Sequence, residues 1–293
     1  MKPVIVLNIE QFEQEESLTD FYSNDLSLHL KKNADIIHKP HKHDFFLCVL
    51  FTKGTGKHEI DFNSYSVNPG SLFFLKPGQT HSWEFDTAPS GYIFFHTQAF
   101  YEFFFSKGKL SSFPFYNSYN NASTITLRPQ ELPLIAKYFN EINTEFHQNA
   151  LYKKQKMASL LNLLYIDATR LFSNFESEMK PLSPTYLQTL EALENTIEQH
   201  YRTEKSAKFF ADKLHISTKH LNRITKSTLN KTTTELINER VLLEAKRLIV
   251  YSKESLTTIS EILGYDDYAY FSRVFKLKTN TTPLEFKKNY RHL

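Results

Sequence analysis

The feature that most restricts what this chain can fold into is an internal repeat between Ser206 and Tyr290. Its first copy reads Ala207-Lys208-Phe209-Phe210-Ala211-Asp212-Lys213-Leu214-His215-Ile216-Ser217 and continues with Leu221-Asn222-Arg223-Ile224-Thr225-Lys226. The second reads Ile259-Ser260-Glu261-Ile262-Leu263-Gly264-Tyr265 and then Phe271-Ser272-Arg273-Val274-Phe275-Lys276. Each spells a short amphipathic helix, a tight turn and a second helix with an apolar–polar–Arg–apolar–x–Lys core. Helices this short, joined by so few residues, cross steeply instead of stacking antiparallel, which is the helix-turn-helix arrangement. Leu214 and Leu263 lie 49 apart but Arg223 and Arg273 lie 50 apart, so the second turn carries one extra residue within Asp266-Asp267-Tyr268.

Between the copies, Thr232 to Ser252 places Leu236, Ile237, Val241, Leu243, Ala245, Leu248 and Ile249 at helical spacing behind Thr232-x-x-Glu235, a capping-box spelling. A helix of that length spans roughly 25–30 Å. Successive major-groove faces on one side of a duplex lie about 34 Å apart. One connecting helix can therefore carry two reading heads about a DNA turn apart within a monomer. Charge agrees: 17 Lys and Arg stand against 9 Asp and Glu from Lys205 to Leu293, while the rest of the chain has 18 against 23. A basic C-terminal third beside an acidic body points to a polyanionic partner for that third alone.

The second helix of each copy is the one that would enter a groove, reading base edges with its first turns. In the first head Ser217 is the natural N-cap and Leu221, Ile224 and Leu229 face the core. That leaves Thr218, Lys219, His220, Asn222, Arg223 and Lys226 outward. In the second head Phe271, Val274 and Phe275 face inward, and Tyr268, Ala269, Tyr270, Ser272, Arg273 and Lys276 are the candidates. Arg suits guanine through its bidentate fork and Asn suits adenine. Asp266 and Asp267 can cap this helix, provided they face away from phosphates.

These residues closely resemble the AraC/XylS family of bacterial transcription regulators. The resemblance is carried by Arg247-Leu248-Ile249, Ile259 to Tyr265, Tyr270 to Lys276, and Thr282-Pro283-Leu284-Glu285-Phe286-Lys287. It covers about a hundred residues and implies a sequence-specific regulator of double-stranded DNA. Matched to the family's motif, Lys219, Asn222 and Arg223 fall on base-contacting positions. One departure is His215, where the family usually has Gly at a turn position that needs positive φ; His is among the residues that tolerate it. An activator would also contact RNA polymerase, and no residue here spells that contact.

A chain of 293 residues should form two domains. We expect an α+β protein: a cupin-like sensory and dimerisation domain over 1–172, a β-barrel with flanking helices; a linker over 173–184, polar with two prolines; and an all-α DNA-binding domain over 185–293, with two helix-turn-helix motifs joined by a long helix. Residues 1 to about 36 read as an arm, including an alternating stretch Leu26-Ser27-Leu28-His29-Leu30. From His41 to Phe95 the period is two, broken by Gly54, Asp61-Phe62-Asn63, Asn68-Pro69-Gly70 and Lys76-Pro77-Gly78, as in a sandwich or barrel. His41-x-His43 and the run Pro69 to His81 resemble a cupin.

Three imidazoles with an open position can hold iron, manganese or zinc. The cupin enzymes' pattern also wants a Glu four or five residues after the second His, and Leu47 and Cys48 stand there. We therefore expect no metal and no cofactor. His41, His43, His81, Trp83 and His96 would instead contact a small-molecule effector in an apolar pocket, or belong to a filled core. Residues 101–119, dense in Phe and Tyr, would form a lid or a loop. Two amphipathic stretches follow, Glu131 to His147 and Leu151 to Phe172, whose stripes must be covered by the barrel or by a second subunit, giving a homodimer through this domain.

The single cysteine, Cys48, excludes an intramolecular disulfide and suits a reducing compartment. No run approaches a membrane span, and the N-terminal apolar run is too short for a secretory signal, so a soluble cytoplasmic protein is expected. The expected function is a DNA-binding regulator modulated by a small molecule. Its rivals are a metal-dependent cupin enzyme with an appended helix-turn-helix module and a regulator that takes no ligand.

Overall fold

The computed structural model describes residues 5–12, 19–37, 39–105, 110–116, 123–175 and 184–290. The described residues divide into two compact units, one over 5–175 and one over 184–290. The first unit contains β1 (Val6–Leu7), β2 (Phe21–Asp25), α1 (Leu26–Lys32), α2 (Ala34–Ile37), β3 (His41–His43), β4 (Phe46–Lys53), β5 (Gly56–Ile60) and β6 (Asn63–Val67). It continues with β7 (Ser71–Leu75), β8 (Thr80–Phe85), β9 (Ser90–His96), α3 (Gln98–Phe104), β10 (Thr124–Thr126), α4 (Leu132–Phe146) and α5 (Lys153–Phe175).

The strands make two five-stranded sheets, in the orders β1-β3-β8-β5-β6 and β10-β7-β4-β9-β2. Strand β4 shows why its run is apolar throughout. Leu47, Val49 and Phe51 point into the core between the sheets, with Phe45, Phe73 and Phe95. Phe46, Cys48 and Leu50 point the other way, under helices. A strand covered on both faces loses its alternation. Cys48 is fully buried there, where burial pushes its thiol up, so it acts as a small apolar group.

The helices α4 and α5 supply that cover. Ile135, Phe139 and Ile142 of α4 and Met157, Leu161, Leu164 and Ala168 of α5 join the cluster on the outer face of the second sheet. Of the two coverings open from sequence, the barrel takes these stripes. Helix α5 runs to Phe175, three residues into the expected linker; residues 176–183 lie outside the described residues.

Two expectations for this unit are corrected. The stretch read as an arm is integral over its described part. Strand β2 pairs with β9 along its length, and Phe21 is fully buried. The alternating leucines after it form helix α1, because Asp25 accepts from the Ser27 and Leu28 N–H groups and so caps a helix start. Leu26 and His29 are its buried residues, three apart, while Leu28 is half exposed. The stretch read as a lid or loop is packed: α3 is capped by Thr97, and Leu110, Phe113, Phe115 and Tyr116 are buried in the same outer cluster. Residues 106–109 and 117–122 lie outside the described residues.

The second unit is helical: α6 (Pro184–His200), α7 (Ala207–Lys213), α8 (Thr218–Leu229), α9 (Thr233–Tyr251), α10 (Leu256–Ile262), α11 (Tyr268–Thr279) and α12 (Pro283–Tyr290). Its internal repeat reaches further than the helix-turn-helix core. Ser206 and Ser255 cap the first helix of each copy. His215 and Gly264 occupy the turn at φ 55° and 73°. Ser217 and Asp267 cap the second helix, and Asn230 and Asn280 end it in the left-handed region. Thr232 with Glu235, and Thr282 with Glu285, then form matching capping boxes. Since Ile216 matches Tyr265 and Ser217 matches Asp267, the extra residue is Asp266. Helix α9, with 19 residues, is about 28 Å long.

Candidate nucleic-acid interface and histidine cluster

Helix α8 buries Leu221, Ile224 and Thr225 and leaves Lys219, Arg223 and Lys226 exposed. Helix α11 buries Phe271 and Phe275 and leaves Ala269, Tyr270, Arg273 and Lys276 exposed. At a helical period, positions 219, 223 and 226 share one face, as do 269, 273 and 276. The two copies therefore present Lys-Arg-Lys and Ala-Arg-Lys at equivalent places. Asp267 accepts from the Ala269 and Tyr270 N–H groups, so its carboxylate is spent on the helix end. Asp266 is exposed beside it.

The remaining expected contacts divide. Thr218, His220, Tyr268 and Ser272 are half-buried. The Tyr268 ring lies 6.3 Å from that of Phe271 and so leans on the helix's own core side. Arg223 Nη2 donates to His220 Nδ1 at 2.8 Å, which holds the guanidinium against its own helix. The Tyr186 ring stands edge-on to His220 from α6, at 6.3 Å.

Asn222 has a structural partner as well. Its side-chain oxygen accepts from the Thr233 N–H at 3.0 Å, in the first turn of α9. A bidentate contact to adenine uses that same oxygen as an acceptor, and an amide oxygen has a second lone pair for it. The second copy explains why an asparagine stands here. Its position equivalent to Thr233 is Pro283, which has no N–H to satisfy, and the position equivalent to Asn222 is Ser272. Asn222 thus replaces a proline's solution to the same orphan-donor problem.

The first unit gathers histidines. His41 and His81 are partners across β3 and β8, and His58 and Ile60 of β5 stand opposite Trp83 and His81 of β8. Period-two alternation puts His41, His43, His58, His81 and Trp83 on the inner face of the first sheet. All four imidazoles are at most 2% exposed. His58 Nε2 lies 2.8 Å from His81 Nδ1, and His81 Nε2 lies 3.1 Å from His43 Nε2. His41 Nδ1–H donates to the Lys39 carbonyl at 2.8 Å, so its Nε2 is a bare lone pair, buried and without a partner.

Burial holds His41, His43, His58 and His81 below the ordinary histidine range, and for the last three the neighbouring imidazoles add to it. His29 of α1, bonded to the Tyr22 hydroxyl at 2.9 Å, is pushed down to about 3 by burial and then by His41. The cluster is therefore neutral.

Of the expected effector contacts, His41, His43, His81 and Trp83 come together, and His58 joins them. His58 was legible from its parity with Ile60, but not that it would meet His81. His96 does not join. Ile93 and Phe95 point inward along β9, so Phe94 and His96 face the outer helices. There His96 Nδ1–H donates to the Thr97 carbonyl at 2.9 Å and Nε2 accepts from the Tyr165 hydroxyl at 2.6 Å. Burial pushes its pKa down to about 4. His96 is a satisfied structural group.

Comparison with known proteins places both halves. A family model described as a helix-turn-helix domain matches residues 210–289, and one described as an AraC-like ligand binding domain matches 24–99. The HTH-type transcriptional activator RhaS of Enterobacter sp. (strain 638) is 23% identical over 252 residues, covering 85% of this chain and 87% of that protein. The HTH-type transcriptional activator RhaR of Mannheimia succiniciproducens is 23% identical over 256 residues, with the same coverage. Among solved structures, ToxT from Vibrio cholerae O395 is 15% identical over 92% of this chain and 98% of that one, with a TM-score of 0.42.

Proposed function

The chain belongs to the AraC/XylS family of transcription regulators, and on that premise we propose that it reads double-stranded DNA through α8 and α11, in adjacent major-groove faces. The observation that carries this reading is the duplicated exposed face, Lys219, Arg223 and Lys226 on one helix and Ala269, Arg273 and Lys276 on the other. Arg223 and Arg273 are the base readers, with Lys219, Tyr270 and Ser272 beside them. Lys226 and Lys276, in the later turns, neutralise phosphates.

The first unit, over 1–172 and joined through 173–184 to 185–293, is the effector domain. To regulate, its ligand must bind two states of the protein with different affinity. The relatives' names support activation, and with it a contact to RNA polymerase. A homodimer through this unit would use faces other than the buried stripes of α4 and α5; Leu134 and Leu163 are half exposed there. No described helix is long and apolar enough to cross a membrane. Cytoplasmic localisation follows from the DNA partner. The relatives are regulators, and we assign no catalytic role to the chain.

The test is quantitative footprinting at several salt concentrations on sites found by genome-wide binding. Arg223→Ala and Arg273→Ala should each cost about 1–3 kcal/mol of specific binding and relax selectivity at one base position. Lys226→Ala and Lys276→Ala should weaken all sequences alike and reduce the salt slope by about one each. Unchanged affinity in both Arg variants would reject the assignment.

A further inference from the structure

The histidine cluster is too specifically arranged for a filled core. Ligand atoms of His41, His43 and His81 all lie within 4.8 Å of one another. Two of the three rings are fixed from behind. His41 donates Nδ1–H to the Lys39 carbonyl, and His81 Nδ1 meets His58 Nε2, which can accept its proton. A ligating histidine normally has its second nitrogen held as a donor in this way, which fixes the tautomer and aims the other lone pair. In His41 that lone pair is buried with no hydrogen to accept. An orphaned buried acceptor costs about 1–3 kcal/mol, and a bound ion would remove that cost.

The contact between His81 Nε2 and His43 Nε2 points the same way. With the His81 proton on Nδ1, two lone pairs would face each other at 3.1 Å unless His43 carries its proton on Nε2 or a cation lies between them. A cation 2.0–2.1 Å from each of three nitrogens in tetrahedral geometry needs them roughly 3.4 Å apart. That asks for small ring movements. His43 would shift its proton to Nδ1, and no net proton is released.

We propose that His41, His43 and His81 bind one divalent transition metal ion of the zinc, cobalt and nickel class, with His58 as a positioning residue. The donors are all imidazole nitrogens, which suit borderline metals and not magnesium or calcium. The positions where a cupin enzyme keeps its carboxylate ligand are Leu47, which is buried in the inner core, and Cys48, which faces the outer helices. The site is thus cationic when filled, with three protein ligands. On the reading given above this ion would be the effector of the first unit; the binding itself stands on the cluster alone.

The chain supplies its own reporter. Its one tryptophan is Trp83, whose ring centre lies 4.7 Å from that of His81. Untagged full-length protein, stripped with chelator, should show quenched tryptophan fluorescence on titration with Co²⁺, saturating at one ion per chain by calorimetry, and no response to Mg²⁺. Zn²⁺ should compete the Co²⁺ away. His41→Phe should abolish the response, His58→Phe should weaken binding about 10–100-fold, and His96→Gln should leave it unchanged. Melting of each variant in chelator reports folding separately. Absence of quenching and of one-to-one stoichiometry in the wild type would overturn the site, whatever the variants do. So would full binding by a folded His41→Phe protein. DNA binding of the same preparations, measured without metal, tests the regulator reading independently.

Discussion

At the scale of single residues, the two turns of the repeat solve one backbone problem differently. Both need positive φ, and both have it at 55° in His215 and 73° in Gly264. The glycine is there for space as well. A Cβ on Gly264 would sit 2.0 Å from the Arg202 carbonyl oxygen, and that backbone cannot yield. Gly264→Ala is therefore expected to cost at least about 2 kcal/mol, by strain and clash together. His215 is exposed, so its side chain meets no such wall. His215→Gly relieves about 1–2 kcal/mol of left-handed strain and costs about 0.5–1 in unfolded-state entropy, a net gain of roughly 0.5 kcal/mol. Urea unfolding of the two variants measures both. The sequence exposes this asymmetry at once as a departure from a pattern, but not the carbonyl that makes only one glycine obligatory.

At the scale of elements, helix α9 is shared between both heads, and three N–H groups at its start have side-chain partners. Glu235 accepts from the Thr232 N–H, Thr232 accepts from Glu235, and Asn222 accepts from Thr233. Hydrogen bonds from Thr232 hold the Glu235 carboxyl below its usual range. Helix α9 is tied to α6 by Arg240, which meets Glu198 with two nitrogens at 2.6 and 2.8 Å and covers the Tyr201 ring at 4.0 Å. Asn222→Ala should destabilise the protein by about 1 kcal/mol, as the loss of a cap does. Ser272→Ala, at the equivalent position of the copy whose next helix starts with Pro283, should stay within about 0.5 kcal/mol. Denaturation midpoints measure this structural role and footprinting measures the base contact: a stable Asn222→Ala protein with lost adenine selectivity would make the base contact the main role. The capping boxes were readable as T-x-x-E. The Asn222 bond joins positions on two helices, and only their packing creates it.

At the scale of the whole molecule, stability should depend on pH through the first unit. His29, His41, His43, His58, His81 and His96 all have lowered pKa values in the fold. Below about 6.5 the unfolded chain takes up protons on these groups while the folded chain does not. Their contribution is then complete above that pH and is lost as the pH falls toward the depressed values, near 3 for His29 and 4 for His96. Each group lowers stability by about 1.4 kcal/mol per pH unit inside its window. Melting of the metal-free protein should fall steeply between pH 7 and 5; a flat profile would mean the imidazoles are not neutral in the fold.

By itself the sequence determined the elements whose signals are local. The duplicated helix-turn-helix, the connecting helix and its cap, the strand-rich half and the basic reading faces all follow from spacing and side-chain chemistry within a few residues. Tertiary structure decided everything that depends on which faces meet. It made a strand and a capped helix of the supposed arm, because β9 needed a partner and Asp25 a helix to start. It sent His96 outward and brought His58 inward, because parity along a strand says which residues share a face but not which strands face each other. The gathering of buried imidazoles around one point belongs to that second kind of information, since only the pairing of β3, β8 and β5 puts distant positions within a bond's length.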